Sequence, residues 1–552
     1  MTIPARLPCD APPPAEHAGP SAGATEASVV GGRWIVAATV MGSGLAFLDA
    51  TAVNVAVPAL QEQMQATSAQ VQWVLESYSL VLAGCILAAG ALGDRYGRRR
   101  VFAAGVCLFA AASLACGLAP AMGALIAARA VQGLGAALLM PGSLAILGSA
   151  FQGQARARAI GLWSSLTSVA GVVGPVAGGW IADHLSWRWI FFVNLPLAAA
   201  VLLVTLRHVP ESRGSGRGRL DLAGAVLATV ALAGLVYAAL ESPRLGVGDA
   251  RVIAAAGVAV LAGAALVRRE RRLERAAVAG RASPVEPMLP LGLFRGRAFA
   301  GLNLLTLCLY AAFGAFFWIP FDLVLAHGYS ATLAGAALLP MTLAALLLAP
   351  RSDAVARRVG TGAVLAAGPA LAALGFVLFA VLNADAGYWR GVFPASLVLG
   401  VGLGITVAPL TNAVLGSVDA GHVGVASGVN NAVARAAGVL ALAALAPLVA
   451  HVFDRALDGH LAAMEHAGTA LPAAARAALD AGRAKLAAAP TPPGLDAATS
   501  AAVRAALRAS TDAGFRVAML VCSALAGLAA VTGWRVRTSL GAAPPPVRRP
   551  AA

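Results

Sequence analysis

The sequence has little charge and almost no lysine. Only 12% of its 552 residues are Asp, Glu, Lys or Arg, about half the share usual in a soluble domain. Lys485 is the one lysine among 40 basic residues, and 59% of all residues are hydrophobic. A water-soluble fold of this composition would have nowhere to bury its apolar surface, so that class of protein is excluded.

Motifs for catalysis and nucleotide binding are also absent. The chain has no GxxxxGK[ST] phosphate loop, no HExxH helix and no GxSxG elbow. Its six cysteines include no CxxC pair, and the eight histidines lie mostly in tails and loops, where none is given a role. We therefore predict no enzyme activity, no cofactor, no metal site and no ATP-driven transport.

The net charge of +15 does not indicate nucleic-acid binding. The basic residues lie in short loops between apolar runs, where they cannot form the continuous patch that binds a phosphate backbone. The apolar runs instead recur at the length of about 20 residues that crosses a bilayer. The predicted fold class is therefore an all-α integral membrane protein.

These runs predict fourteen spans. The spans lie near residues 34–57, 73–92, 101–118, 121–141, 159–181, 190–207, 222–240, 252–267, 298–320, 331–350, 361–382, 391–412, 424–450 and 515–534. Alternate loops are rich in arginine, whereas residues 59–72, for example, contain none. Because Arg and Lys concentrate in the short loops on the cytoplasmic side, both chain ends are predicted to be cytoplasmic.

A faint internal repeat predicts two related halves. Residues 93–100 resemble residues 351–360, and the first and ninth spans are expected to end at Pro58 and Pro320. An offset of eight spans gives two six-helix halves with an inserted helix pair. The predicted segments are a disordered cytoplasmic tail at 1–33, a first half at 34–208, an inserted pair with linkers at 209–297, a second half at 298–534 with an extracytoplasmic, helical loop at 451–513, and a cytoplasmic tail at 535–552.

Three ionisable residues in the predicted spans are candidate functional groups, because such residues are expensive in a bilayer. Asp49 in the first span is either a proton-binding carboxylate or one that only hydrogen-bonds neighbouring helices. Glu76 in the second span either lies near the outer interface or faces a cavity, where it could attract a cationic substrate or share proton traffic. Arg129 in the fourth span shares a helix face with Gln132, and either assists proton release or anchors an interhelical hydrogen bond.

Small residues in the fifth span form a candidate packing surface. Gly171, Gly174, Pro175 and Gly178 are expected to share one face, with Gly179 following them. Such faces let a neighbouring helix approach closely, and by themselves they imply packing only. Rigid-body rocking of two halves would also need a contact of this kind.

The connector after the second span combines glycine, one carboxylate and arginines. Its candidate residues are Gly93, Asp94, Arg95, Gly97 and Arg98. Positive-inside anchoring accounts for the arginines without further function. Alternatively, an ion pair of Asp94 at the inner surface would open and close with transport.

Together these segments resemble the major facilitator superfamily, specifically its fourteen-span drug:proton antiporters of the EmrB/QacA type. The resemblance covers roughly residues 34–450 and the last span at 512–534. It rests on the motifs above, on Trp187–Pro196 (WRWIFFVNLP) and on Ala426–Asn431 (ASGVNN).

This resemblance implies export of amphipathic drugs, dyes or antibiotics across a bacterial plasma membrane, driven by inward protons. Asp49 would be the coupling carboxylate, Arg129 the proton-relay arginine, Gly174 and Pro175 the core of the antiporter signature, and Glu76 a substrate-charge candidate. The second-half copy of the cytoplasmic motif is degraded. Few carboxylates occur in the later spans, with Asp322 at an edge, which weighs against divalent cations.

Other readings of the sequence stay open. The chain could be a narrow-specificity carrier for one natural product or metabolite, or a membrane sensor that keeps the fold and moves nothing. The expected partners of an exporter are small amphipathic substrates, protons and the lipid bilayer. Nothing in the sequence indicates a periplasmic adaptor.

Overall fold

The computed structural model is helical throughout its regular elements. It describes residues 29–151, 153–213, 221–279, 285, 291–314, 318–382, 387–418, 423–467, 471–483, 492 and 494–540. Within these ranges the chain forms eighteen α-helices and a 3-10 helix at Leu291–Arg295. The predicted all-α fold is confirmed.

The helices follow one another with short breaks. The region of the predicted first half contains α1 (Val29–Gln63), α2 (Ser68–Tyr96), α3 (Arg98–Gly117), α4 (Met122–Ala150), α5 (Gly153–His184), α6 (Arg188–Phe192) and α7 (Asn194–His208). The inserted pair is α8 (Leu222–Leu245) and α9 (Ala250–Val278). The remainder contains α10 (Arg297–Phe313), α11 (Trp318–Leu325), α12 (Ala331–Ala337), α13 (Leu339–Val359), α14 (Thr361–Val381), α15 (Val392–Gly416), α16 (Val423–His466), α17 (Ala473–Gly482) and α18 (Ala497–Leu540).

Most of these helices are long and apolar enough to cross a membrane. Among the described residues, twelve helical segments meet the requirements of a span, and a bent pair within α2, at 56°, brings the number to thirteen. Helix α5 is 32 residues long and packs along α1, so counting it would give fourteen. The chain is a multi-pass membrane protein, and the number fourteen remains a prediction.

Two span ends expected at prolines are wrong. Helix α1 continues through Pro58 to Gln63, and Pro320 lies inside α11. Residues 351–359, expected in a connector, form the last turns of α13. A proline removes one backbone N–H, but membrane helices tolerate it because neighbouring helices and local adjustments satisfy the freed groups. Each helix therefore extends beyond its most apolar stretch.

Gly97 and Gly360 hold corresponding places in the predicted repeat. Gly97 alone joins α2 to α3 with φ of 112°, and Gly360 alone joins α13 to α14 with φ of 91°. Positive φ favours glycine, because a Cβ would be strained there. The backbone geometry of the two connections is thus alike, although the sequences around them have diverged.

The inserted pair packs against both predicted halves. Helix α8 contacts α2 and α16. Trp73 Nε1 in α2 donates a hydrogen bond to Glu241 Oε1 in α8 at 3.3 Å. A Cβ at Gly84 would collide with Thr229 of α8, so the two backbones lie close. Helices α8 and α9 are therefore a packed part of the bundle.

The polar region at 451–513 is helical in its described residues, as predicted. Helix α16 runs on to His466, and α18 begins at Ala497, well before the last predicted span. Arg483 follows α17 and pairs with Asp480 at 2.8 Å and with Asp458 of α16 at 2.6 Å. These ion pairs hold the short helix against the extension of α16.

The α2–α3 connection yields a stability prediction. A Cβ at Gly97 would lie 2.7 Å from the Glu211 carboxyl carbon, in addition to the backbone strain, whereas one at Gly360 would meet nothing within 4 Å. We expect Gly97→Ala to lower the free energy of unfolding more than Gly360→Ala, which should cost about 1–2 kcal/mol from backbone strain alone. Tryptophan fluorescence during unfolding in mixed micelles measures both, with Gly123→Ala as the control in open space. Equal losses at the two connections would contradict a role for the Glu211 contact.

Candidate functional site

Asp49 lies at the centre of a buried polar cluster. It is 0% exposed and lies on α1. Its Oδ2 accepts a hydrogen bond from Arg129 Nη1 at 2.5 Å, and its Oδ1 accepts from Gln132 Nε2 at 2.9 Å and from Asn194 Nδ2 at 2.7 Å. The donors come from α4 and α7, so the carboxylate connects three helices. The structure brings Asp49 and Arg129 together.

Arg129 is held in one position by several contacts. It is 1% exposed. Its Nε donates to the Val74 carbonyl oxygen at 3.1 Å, and its Nη1 also donates to Gln132 Oε1 at 2.6 Å. The guanidinium carbon lies 4.4 Å from the centre of the Tyr78 ring, a contact worth roughly 2 kcal/mol when desolvated. The charge therefore faces Asp49 with little freedom to turn away.

Sequence analysis missed two members of this cluster, Ser113 on α3 and Asn194 on α7. Ser113 Oγ accepts hydrogen bonds from Gln132 Nε2 at 2.8 Å and from Asn194 Nδ2 at 3.3 Å. Both side chains are fully buried. An amide within an apolar run is a signal that could have found Asn194. Ser113 carries no such signal, because serine is frequent in membrane helices.

The cluster is built around a charged carboxylate. Arginine and amide N–H groups fill three of the four acceptor positions on the two oxygens of Asp49, and a proton on this carboxyl group would remove the negative charge that holds Arg129. Buried charges are stable only when they are paired and their remaining hydrogen-bonding positions are filled. The geometry of the cluster would therefore change if Asp49 took up a proton.

Glu76 is buried in α2, but the described part of the chain gives it no hydrogen-bond donors like those that hold Asp49. Its exposed fraction is 1%, and neither carboxylate oxygen has a hydrogen-bond partner among the described residues. An ionised carboxylate in this setting is costly, so a cation close to Glu76 would be stabilised there. The structure therefore places Glu76 in the interior of the helix bundle.

Small residues of α5 allow it to approach α1 closely. A Cβ at Gly174 would collide with Thr51 Oγ1, and one at Gly178 would lie 2.6 Å from the Ala52 carbonyl oxygen. Thr51 and Ala52 follow Asp49 by less than one helical turn. This small-residue motif of α5 therefore packs directly beside the buried cluster.

The other residues of that motif, Pro175, Gly179 and Gly171, do not contact α1 in the same way. Gly179 packs on Ala331 at the start of α12, and Pro175 lies against Gly335 of the same helix. A Cβ at Gly171 would meet nothing within 4 Å. The small residues therefore serve two contacts, because α5 lies between α1 and α12.

A carboxylate clasps α5 to α12 at one end of the bundle. Asp183 accepts hydrogen bonds from the backbone N–H of Ala331 at 3.0 Å, from that of Thr332 at 2.7 Å, and from Thr332 Oγ1 at 2.5 Å. It thereby satisfies N–H groups at the start of α12 that have no partner within the helix. We call this end, opposite Gly97, the far end. The clasp joins the two predicted halves there.

The candidate connector occupies the other end, which we call the motif end. Gly93, Asp94 and Arg95 lie in the last turn of α2, Gly97 forms the break, and Arg98 begins α3. Arg98 Nη2 pairs with Asp94 Oδ1 at 2.7 Å. This ion pair lies within one connection and does not bridge the two halves.

Further contacts of this connector join the first half and the start of the linker that follows it. Arg98 Nη1 donates to the Ala145 carbonyl oxygen at 3.2 Å, and Arg98 N donates to the Ser212 carbonyl oxygen at 2.9 Å. The backbone N–H of Arg99 donates to Glu211 Oε1 at 3.0 Å. The segment after α7 is therefore fastened across the α2–α3 connection.

A cavity lies between the halves on the motif side of the bundle. Its volume is about 550 Å³, within the range of pockets that bind drug-sized molecules. Most of its lining is apolar, and it is bounded by α5, α10, α13 and α15 through Gly161, Tyr310, Phe313, Leu346 and Leu403. Asp353 is its one carboxylate, and this group accepts from Asn412 Nδ2. The cavity suits a largely apolar ligand with some polar groups.

The sequence matches a known protein family and is similar to named bacterial proteins. The family model of the Major Facilitator Superfamily matches residues 39–442. The chain is 35% identical to multidrug resistance protein Stp of Mycobacterium tuberculosis over 429 residues, which are 77% of each chain. It is 34% identical to the tetracenomycin C resistance and export protein of Streptomyces glaucescens, over 77% of this chain and 78% of that one.

Solved transporter structures share the fold. A bacterial homologue of the human lysosomal transporter Spinster, in an inward-facing and unoccupied conformation, aligns with a TM-score of 0.57 at 16% identity, over 92% of this chain and 98% of that one. PepTSo, a POT family transporter, aligns with a TM-score of 0.60 at 13% identity over the same shares of the two chains.

The buried ion pair yields a second stability prediction. Arg129→Met leaves Asp49 as an unpaired buried charge, which should lower the free energy of unfolding by about 3–5 kcal/mol. Adding Asp49→Leu removes that charge, so the double variant should be more stable than Arg129→Met alone. Unfolding in mixed micelles measures the double-mutant cycle. Strictly additive losses would contradict direct coupling of the two residues.

Proposed function

The chain belongs to the major facilitator superfamily, and we propose that it is a proton-coupled antiporter that exports amphipathic drugs, dyes or antibiotics. The observation that carries this proposal is the fully buried Asp49–Arg129 pair beside the α5 motif. Relatives at 34–35% identity are named as multidrug or antibiotic resistance and export proteins, including a puromycin and a methylenomycin A resistance protein. Members of this superfamily are transporters, which agrees with the absence of enzyme motifs.

In this proposal Asp49 is the proton-binding group. Protonation would cancel its charge and weaken the attraction between Asp49 Oδ2 and Arg129 Nη1. Arg129 would then lose its counter-charge and draw the carboxylate back toward the ionised state, which releases the proton. The protonated and the ionised Asp49 would thus each favour a different arrangement of α1, α4 and α7.

The contacts between the halves support assignment of the inward-facing state. Asp183 and Gly179 close the far end, whereas the cavity of about 550 Å³ lies toward the motif end. The arginine-rich connections lie at the motif end, which we assign to the cytoplasm together with both termini. Substrate would enter this cavity from the cytoplasm or the inner leaflet of a bacterial plasma membrane, and Gly93–Arg98 would act when the cavity closes.

Coupling can be tested with a panel of lipophilic cations and neutral antibiotics in an efflux-deficient host. We expect wild type to lower accumulation, and Asp49→Asn to give the accumulation of a host without the protein, because the amide cannot take up a proton. A protonophore should abolish export by the wild type. Accumulation and membrane levels of the protein are measured together.

The matched control is Glu62→Gln, which removes an exposed carboxylate next to the end of α1. This variant should export as well as the wild type. Normal export by a well-expressed Asp49→Asn protein would refute its assignment as the coupling residue. Export of a single compound from a broad panel would favour the narrow-specificity carrier.

Glu76 generates a separate prediction about substrate charge. Its carboxylate is buried without a hydrogen-bond partner among the described residues, so a cationic substrate nearby would be attracted to it. We expect Glu76→Gln to reduce export of cationic compounds and to spare neutral ones. Parallel dose–response curves for the two classes measure the difference. Equal loss for both classes would assign Glu76 to proton coupling or folding instead.

A further inference from the structure

A histidine and two aspartates meet outside the cluster of Asp49. Asp322 lies on α11, Asp512 lies on α18, and His327 follows the end of α11. Asp322 is only 4% exposed, and the His327 side chain is equally buried. Sequence analysis placed Asp322 at an edge and gave no histidine a role, because the partner Asp512 is distant in the chain.

The three side chains converge on one point. His327 Nε2 lies 3.4 Å from Asp322 Oδ2 and 3.4 Å from Asp512 Oδ1. One ligand atom from each residue can be chosen so that all three lie within 4.8 Å of one another. Ligands of a tetrahedral Zn²⁺ at 2.0–2.1 Å are separated by about 3.3 Å. The two distances from the imidazole nitrogen match that separation.

The same point has polar atoms that the protein leaves unsatisfied. Asp322 Oδ1 is buried and accepts no hydrogen bond from the described residues, and Asp512 Oδ1 has only its 3.4 Å contact with His327 Nε2 among them. The adjoining space amounts to about 20 Å³, enough for one water molecule or one small cation. Two carboxylates held this close repel each other unless a positive charge lies between them, which either a protonated His327 or a bound metal ion supplies.

We propose that Asp322, His327 and Asp512 bind one divalent transition-metal ion of the Zn²⁺ class. His327 Nε2 and one oxygen from each carboxylate are the protein ligands, and a water molecule completes the tetrahedron. Imidazole and carboxylate together suit Zn²⁺ better than Mg²⁺ or Ca²⁺, which prefer oxygen alone. The double negative charge of the aspartates neutralises the ion.

Metal binding requires two local changes, a shift of the ring hydrogen of His327 from Nε2 to Nδ1 and a movement of Arg508. Arg508 Nη2 lies 2.8 Å from His327 Nδ1, and an arginine N–H can only donate. When Nε2 holds the ion, Nδ1 carries the ring hydrogen, so Arg508 must turn aside. Arg508 is exposed on α18 and can do so without disturbing the core. The ion then fastens the start of α18 to the end of α11.

Direct measurement on the full-length protein tests this site. The chain is purified in detergent with an affinity tag free of histidine, stripped with EDTA and dialysed against Zn²⁺, and bound zinc is counted by elemental analysis. We expect about one ion per chain for the wild type, none for His327→Ala, and about one for His460→Ala, which alters an exposed histidine of α16. Zn²⁺ should also raise the unfolding temperature of the wild type and of His460→Ala only.

Co²⁺ provides a second measurement, because tetrahedral sites give it strong visible absorption. The wild type should show this absorption and Asp512→Asn should lose most of it, with Glu62→Gln as the exposed control. Failure of the stripped wild type to bind Zn²⁺, or equal binding by wild type and His327→Ala, would overturn the proposal. The wild-type result decides even if a variant does not fold, and it is independent of any transport activity.

Discussion

A bilayer offers no water to an unsatisfied polar group, and this constraint governs how the structure uses its few charges. Asp49 and Arg129 are buried together because each offsets the desolvation of the other, while Gln132 and Asn194 fill the remaining oxygen. The donors belong to different helices. The charge state of one carboxyl group is therefore tied to the relative positions of α1, α4 and α7, which is the property that a proton-driven carrier needs.

The lipid surroundings also explain why α5 has glycine where it contacts other helices. Apolar side chains gain little by leaving lipid for a partner helix, so close packing of backbones has to hold the helices together. Gly174 and Gly178 bring α5 against α1, and Gly179 brings it against α12. One helix therefore touches both the element that carries Asp49 and the element that closes the far end.

The sequence predicts the parts of this protein that depend on composition and local pattern. Hydropathy yields the helical membrane fold, and the rarity of buried charge singles out Asp49, Glu76 and Arg129. It does not predict the pairing of Asp183 with α12 or of His327 with Asp512, because these contacts join residues far apart in the chain. Helix ends are also missed at prolines, since lipid allows a helix to continue where the same pattern in water predicts a break.

In the proposed cycle, α5 transmits the state of the ion pair to the far end. Thr51 and Ala52 lie within one turn of Asp49. Gly174 packs against Thr51, and Gly178 packs against Ala52. A glycine contact has no flexible side chain to absorb a displacement, so a shift of α1 moves α5 as well. About one to two turns further along α5, Asp183 holds the start of α12. Loss of the Asp49–Arg129 contact would then be coupled to release of the Asp183 contact with α12. Alternating access requires such coupling between the ion pair and the far end.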